Sequence, residues 1–504
     1  MKILSPQNIA IADRFTIENE PIPSIELMER AAMACVRRLI KIIDSETKVY
    51  VACGQGNNGG DGLAIARLLQ ERGYDVTALV ILAKEGFSPD ALQNYLLLKE
   101  KFPSRVIDIK TIEVLKEMQF AQPSVLIDAL LGTGVKGEVE GFLGESISIF
   151  NFMFKNIISI DVPSGLIPNE HCSENKNIIH STHTITLQLP KLAFLLQENE
   201  RFVPKFEIVD IGLKKEGIDK LLTQEHYITK ELIIQLLQKR KKHDHKGTFG
   251  HALLLAGSSD KPGAALISAE ACLRSGAGLL TVHSVQNVLN AMSVRLPEAM
   301  QSADDGVKCI SSLEKTDQFD AIAFGPGTGT SEETQTVLKK LLQYYKGKLV
   351  IDADGLNILS ENKTWISFLP PDTILTPHPK EFERLAGKSE NDFERLKLLR
   401  QFSQKNNVIV ILKGGHSAIA MPDGNIYFNS SGNAGLAKGG SGDALTGMIL
   451  GLLTRGYTPP QASLIATFVH GFAADLCIKK MSMESVLISD VIARIPRAFK
   501  KLED

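Results

Sequence analysis

The chain has 504 residues, more than one hydrophobic core usually serves, so length alone predicts two domains. Hydrophobic residues at 44% and charged residues at 23% describe an ordinary globular composition. A formal net charge of −2 lacks the basic bias of a nucleic-acid or anionic-membrane binder.

In chain order, residues 24–42 suit a helix, with Ser24 as its cap and Ile25, Met28, Ala32 and Val36 on one face. Strand 48–53, helix 61–72, strand 75–82, helix 89–101 and strands 124–127 and 156–160 follow. Short apolar strands between amphipathic helices predict a mainly parallel sheet with helices on both faces. Ligands in such sheets bind at strand C-termini. Three segments occupy that position: Gly56–Gly62, Asp128–Glu138 and Asp161–Gly165. They are expected to converge on one crevice. In the first, Gly59, Gly60 and their neighbours free backbone N–H groups to turn inward, while Asn57 and Asn58 add side-chain amides. Asp61 reads equally as a ribose ligand or as the cap of a tight strand-to-helix turn. Asp128, Asn58 and Ser164 offer hard oxygens without a carboxylate cluster, a set suited to a monovalent cation rather than a tight divalent site.

The stretch 213–247 reads as the junction, with a short helix at 229–238 and the basic cluster Lys239–Lys242, taken as a solvated helix end. His243, His245 and His251 read as loop or capping residues rather than metal ligands, since no cysteine accompanies them. A second series of strands is predicted at 251–256, 278–282, 320–324, 348–352, 372–375 and 408–412. Near the C-terminus, Gly439-Gly440-Ser441-Gly442-Asp443 opens an apolar helix. N–H groups there can stabilise a transferring phosphoryl group, and Asp443 can take a proton from an attacking hydroxyl. The bland alternative is a helix start capped by Asp443. No P-loop or protein-kinase motif is present. His378, held between Pro377 and Pro379, reads on its own as a packed turn histidine.

The six cysteines are scattered, with no CxxC pair, which fits a reducing cytoplasm. Polar residues and Pro6 interrupt the N-terminus before a signal-peptide core forms, and no apolar run is long enough to cross a bilayer.

GNNGGDG, DALLGTGVKG and IDVPSG, in that order, resemble the NAD(P)H-hydrate epimerase domain over roughly residues 1–215. The resemblance implies a Rossmann-like three-layer αβα domain over 1–219. It implies that Asn57, Asn58, Gly59, Gly60, Asp61, Gly132, Thr133, Gly134, Val135, Lys136, Gly137, Glu138 and Asp161 contact the hydrated nucleotide. It further implies potassium (K+) held by Asn58, Asp128 and Ser164, and Asp161 is the expected catalytic acid and base. KGTFGH, GPGTG, DADGLN, TPHPKE, LKGGHS and NAGLAKGGSGDALTG resemble the ADP-dependent NAD(P)H-hydrate dehydratases. That implies a ribokinase-like αβα domain over 224–504. Ala264, Gly327, His378 and the catalytic Asp443 would then meet the hydrate, and Lys413, Gly414, Gly415, His416, Ser417 and Gly442 the nucleotide. Lys380 and Lys438 depart from the smaller or uncharged residues expected there, with Lys438 facing a phosphate or solvent.

Together the resemblances imply metabolite repair: epimerisation of NADHX and NADPHX at C6, and dehydration of the S form with ADP and Mg2+. They imply a cytoplasmic homo-oligomer with no nucleic-acid or membrane partner. The rival reading is a ribokinase-like kinase of a small hydroxyalkyl heterocycle fused to a non-catalytic nucleotide-binding module.

Overall fold

The structure is a computed structural model that describes residues 1–313 and 315–503. The chain forms two compact units, Lys2–Thr223 with Asn391–Phe393, and Gln224–Glu390 with the C-terminal stretch from Glu394.

The first unit carries seven strands: β1 (Lys48–Cys53), β2 (Val76–Ile81), β3 (Val106–Ile109), β4 (Ser124–Ala129), β5 (Ile157–Ile160), β6 (His183–Leu187) and β7 (Phe206–Val209). Their order is β3-β2-β1-β4-β5-β6-β7, and every pairing is parallel. Alternation along the strands makes two cores. Val49, Val51, Cys53, Val125 and Ile127 point to one face, whereas Tyr50, Ala52, Leu79 and Leu126 point to the other with Phe150 and Phe154. The order reverses between β1 and β4, the switch point where such sheets open a crevice. The sequence reading missed β3, β6 and β7, and also the helices Pro6–Asn19, Ile112–Glu117 and Gly141–Met153. β3 and β7 are only four residues long and half-buried, so they lack a clear apolar run.

Two boundaries move. Ser24 is the first helical residue of Ser24–Leu39 rather than its cap, and its hydroxyl bonds Asp90 Oδ1 at 2.9 Å. The glycine motif is not a loop before the next helix but its opening turns, because that helix runs Asn57–Gln70 and starts after Gly56. Asp61 therefore sits inside the helix and is not its cap. The cause is a close approach: a Cβ on Gly59 would lie 1.8 Å from the Gly54 carbonyl oxygen. Glycine lets this helix start against the strand-end backbone.

The second unit carries β8 (Glu225–Tyr227), β9 (His251–Leu255), β10 (Leu279–Ser284), β11 (Met300–Ala303), β12 (Ala321–Phe324), β13 (Lys348–Ile351), β14 (Ile374–Leu375), β15 (Ile409–Leu412), β16 (Ala418–Ala420) and β17 (Ile426–Phe428). The sheet order is β11-β10-β9-β12-β13-β14-β15-β16-β17-β8. Only β16 runs antiparallel to its neighbours. Thus β8, inside the expected junction, is the edge strand of this sheet, parallel to β17. One core packs Ala252, Leu254, Leu280, Val282 and Ala323 under the helices Pro262–Arg274, Ser441–Thr454 and Pro459–Cys477. Here too backbone meets backbone, since a Cβ on Gly447 would fall 2.0 Å from Ser268 O. The histidine triplet is dispersed: His245 caps the turn Lys246–Phe249, and His251 Nε2 meets Thr281 Oγ1 at 2.8 Å. In the basic cluster, the Arg240 guanidinium lies 3.9 Å over the Phe249 ring.

A buried network ties down the segment after β11. His283 bridges Ser302 Oγ (Nδ1, 2.8 Å) and Asp304 Oδ2 (Nε2, 2.9 Å). Asp304 also accepts from the N–H groups of Gly306, Ser311 and Ser312 and from both serine hydroxyls. Burial pushes the Asp304 carboxyl up, but those hydrogen bonds outweigh it and hold it at about 2. Its pKa is thus depressed below the unfolded value of about 3.9, so its stabilisation is full above that value and is lost as pH falls towards 2. Asp304→Asn should cost about 2 kcal/mol at pH 7. The single tryptophan, Trp365, lies in this unit and reports its urea midpoint. The difference between variant and parent should shrink below pH 3, and a constant difference would refute the assignment.

Candidate functional sites

The crevice of the first unit is built from the ends of β1, β4, β5 and β6. Asp128 is the penultimate residue of β4 and fully buried. Its Oδ1 accepts from Ser164 Oγ (2.6 Å) and its Oδ2 from Ser164 N (2.9 Å) and Ser159 Oγ (2.8 Å). Burial pushes this carboxyl up, against the hydrogen bonds from Ser164. Asn58 donates through Nδ2 to Leu131 O at 2.9 Å, while its Oδ1 is buried without a partner. Leu131 N in turn donates to Ser164 Oγ at 2.8 Å. Asn58, Asp128 and Ser164 are therefore brought together, as expected, around an oxygen that lacks a donor. A bare buried oxygen beside a carbonyl, a hydroxyl and a carboxylate is what a monovalent cation would satisfy.

Asp161 follows β5 with φ of 63°, a left-handed conformation rare outside glycine. Its Oδ1 accepts from Lys191 Nζ at 2.6 Å, Leu187 N at 3.1 Å and Thr186 Oγ1 at 3.3 Å. Asp61, buried in the helix Asn57–Gln70, is pushed well above its usual range by burial and then by Asp161, Asp13 and Asp90. Asp13, from the helix Pro6–Asn19, rises to about 6 through burial and the Asp161 charge. Asp13, Thr186 and Lys191 were not legible in the sequence. Lys191 carried no signal beyond standing shortly after a strand end.

The remaining expected residues divide. Gly59 and Gly60 are buried in the helix, and Asn57 is exposed at its start. Gly132 faces Asn58, whose Cβ would lie 3.2 Å from an added methyl group. Thr133 and Val135 are half-buried, whereas Gly134, Lys136 and Gly137 are exposed. Glu138 is exposed, and its Oε1 accepts the Lys176 N–H at 3.0 Å.

In the second unit the strand order reverses between β9 and β12. Ala264 and Gly327 meet there, since a Cβ on Gly327 would sit 2.8 Å from that of Ala264. Gly440 precedes the helix Ser441–Thr454 with φ of 91°, so Asp443 lies in the first turn and is not the cap. Burial and the Asp352 charge raise its carboxyl to about 6. Lys413, at the end of β15, donates to Asp352 Oδ1 at 3.0 Å, and Thr446 Oγ1 donates to Oδ2 at 2.8 Å. Burial pushes Asp352 up and Lys413 down, yet their mutual attraction prevails in both. A Cβ on Gly442 would lie 3.1 Å from Lys413 Nζ and 3.3 Å from Asp352 Oδ2, so the first helical turn passes close to this ion pair. Asp352 stood in a quoted motif without a role, and the structure makes it the partner of Lys413.

His378 caps the helix Pro379–Ala386. Its Nδ1 accepts from Lys380 N and Glu381 N, and its own N–H donates to Glu381 Oε2 at 2.8 Å. In the neutral ring the proton then sits on Nε2, 3.4 Å from Glu381 Oε1. Burial lowers the imidazole pKa. Beyond Lys413, Gly414 and Gly415 are exposed, Ser417 Oγ closes the turn on Gly414, and His416 Nδ1 meets Asn429 O at 2.9 Å. Lys438 is half-buried, and its Nζ donates to Glu484 O and Val486 O, both at 2.7 Å. Lys380 is exposed. Among the described residues no group of three or more histidine, cysteine or acidic side chains could hold a metal ion. No helix of the described residues is long and apolar enough to cross a membrane.

Comparison with known proteins bears on both units. The family model described as NAD(P)H-hydrate dehydratase matches residues 252–497, and that described as YjeF-related protein N-terminus matches 24–193. A ribokinase-like superfamily protein of Enterococcus faecalis is 27% identical, with a TM-score of 0.50 over 56% of this chain and 99% of its own. The second unit therefore has the ribokinase-like fold. An ADP/ATP-dependent NAD(P)H-hydrate dehydratase of Bacillus subtilis, co-crystallised with ATP and Mg2+, is 36% identical over 55% of this chain and 99% of its own, with a TM-score of 0.49. The bifunctional NAD(P)H-hydrate repair enzyme of Moorella thermoacetica is 30% identical across 100% of this chain and 98% of its own length. With both halves matched in order by one relative, the chain belongs to the family of bifunctional NAD(P)H-hydrate repair enzymes.

Proposed function

We propose that the two strand-end sites perform the two halves of NAD(P)H-hydrate repair: epimerisation at the first and nucleotide-driven dehydration at the second. The observation that carries this is the pairing, in one chain, of a strand-end carboxylate held by a buried lysine, in a crevice that also holds the unpartnered Asn58 Oδ1, with a helix-start carboxylate under the charges of Asp352 and the half-buried Lys413.

At the first site the substrate carries a hydroxyl on C6, next to the ring nitrogen. The nitrogen lone pair expels the hydroxyl as Asp161 supplies a proton, and water returns to C6 from either face as Asp161 takes a proton back. Such general acid–base assistance is worth about 10²–10⁴-fold. The N-terminal turns of the helix Asn57–Gln70 supply N–H groups for the substrate's diphosphate. Asn58 Oδ1, Leu131 O, Asp128 and Ser164 are the residues that would hold potassium, whose charge would favour the same phosphates.

At the second site Asp443 takes the proton of the C6 hydroxyl, whose oxygen attacks the terminal phosphorus of ADP and displaces AMP. Phosphate then leaves C6 with its bonding electrons, C5 loses a proton, and the C5–C6 double bond of NADH or NADPH forms. N–H groups at the start of the helix Ser441–Thr454 and the Lys413 ammonium face the transferring group. Magnesium would be held chiefly by the nucleotide phosphates, the usual arrangement where a protein offers one or two carboxylates. Ala264 and Gly327, in contact at the switch point, and His378, with a fixed ring, form the hydrate's side of the site.

Asp161→Asn should abolish interconversion of R and S forms, followed by NMR, while S-form dehydration at 340 nm persists. Asp443→Ala should do the reverse, and loss of both activities in either folded variant would refute two separate sites. Because Asp443 acts as a base and titrates near 6, dehydration should fall as pH drops through about 6; a flat profile from pH 5 to 7.5 would exclude it. Asn58→Leu should remove any potassium dependence of interconversion, which a series in potassium and choline chloride reads directly.

A further inference from the structure

Asp161 is held in an unfavourable backbone conformation, φ 63°, which persists only where the surroundings over-determine it. They do so here. Its N–H donates to Ile185 O at 2.8 Å, and its Oδ1 collects three donors from residues 186–191. The strongest of these is an ammonium that is itself out of water, since Lys191 is 1% exposed. Burying a lysine is costly unless its charge is paired and its donors are used. Lys191 Nζ lies near four acceptors: Asp161 Oδ1 (2.6 Å), Thr186 Oγ1 (2.9 Å), Leu189 O (3.1 Å) and Leu187 O (3.2 Å). An ammonium has three N–H groups, so this one has no donor left for a substrate. The segment that delivers it is turned by Gln188, also left-handed at φ 59°, whose Oε1 accepts from Ile211 N at 2.9 Å.

On the reading of Asp161 given above, we infer that Lys191 is the positioning residue of the epimerase site. Its buried ammonium pins Oδ1 of Asp161 and turns the other carboxylate oxygen, Oδ2, towards the reacting carbon. Thr186, which touches both Lys191 Nζ and Asp161 Oδ1, is the second member of the clamp. The surroundings give such a clamp a purpose. Asp13 and Asp61 add two further carboxyls, both pushed upward by burial and by the Asp161 charge. The ammonium pairs with Asp161, so the carboxyl assigned the proton transfers is the one held in place.

The test uses the full chain. Lys191→Ala should lower kcat for R/S interconversion about a hundredfold, the low end of acid–base assistance, with KM changed less than about threefold. Far-UV circular dichroism and the thermal unfolding profile of the same sample control for folding of the first unit, which S-form dehydration in the second unit does not report. Propylammonium should restore at least about a tenth of the lost rate by refilling the cavity with charge, whereas propanol should restore none. Wild-type kcat in Lys191→Ala, a loss confined to KM, or equal rescue by propanol would overturn the inference. Should Lys191→Ala not fold, Thr186→Val keeps the shape and removes the hydroxyl that accepts from Lys191 Nζ and donates to Asp161 Oδ1. It should lower kcat about tenfold, and an unchanged kcat overturns the clamp. If Asp161→Asn keeps full interconversion, the reading of Asp161 itself fails, and this inference with it. If Asp161→Asn is inactive while Lys191→Ala and Thr186→Val are normal, the clamp alone is wrong.

Discussion

Both units depend on helices drawn in until main chain touches main chain. In the first, an added methyl on Gly59 would collide with Gly54 O at 1.8 Å, and one on Gly54 with Leu130 O at 2.0 Å. In the second, Gly447 and Gly451 lie in the same way against Ser268 O and Cys272 O, at 2.0 and 2.4 Å. No side-chain rotation relieves a clash with backbone, so these contacts admit no substitute. Their consequence is positional. The helix Asn57–Gln70 begins immediately beside the strand ends, which puts its free N–H groups and Asn58 at the switch point. The helix Ser441–Thr454, fixed along its length, holds Asp443 in its first turn.

Each site then sets a carboxylate against a lysine. Asp161 is met by Lys191 and Asp352 by Lys413. The two lysines differ in freedom. Lys191 is surrounded by acceptors, while Lys413 bonds Asp352 at 3.0 Å and stands 4.0 Å from Glu381. The first suits a lysine that positions, the second one that still has donors to offer a phosphate. Around each pair stand carboxyls pushed upward by burial and neighbouring charge: Asp61 and Asp13 in one site, Asp443 in the other. In the second site Asp352 is lowered and Asp443 raised, and separating the proton affinities of neighbouring carboxyls lets one site contain both an acid and a base near neutral pH.

Prolines and glycines punctuate both units, but the partners of the residues beside them differ from what spacing suggests. His378 between two prolines reads in sequence as a packed turn histidine, and in the structure it caps a helix with Glu381 completing the box. Lys438, expected to face a phosphate or solvent, is half-buried and donates to two carbonyl oxygens. The first outcome is a local capping box within three residues, whereas the second turns on Glu484 and Val486, far along the chain, which local spacing does not carry.

By itself the sequence determined the class of fold, the strand positions of most of both sheets and the segments that line the sites. Apolar period, strand length and glycine placement are local properties, and they survive in one dimension. Asp128, Asn58 and Ser164 could be grouped from their strand-end positions alone, and the structure does bring them together. Where the helix Asn57–Gln70 starts was decided only by the tertiary structure, because that depends on how closely Gly59 approaches Gly54. So were the ammonium under Asp161, the partner of Lys413 and the proton affinities of Asp13, Asp61 and Asp443. Those are set by burial and by charges that the chain brings together from distant positions, and neither is visible until it has folded.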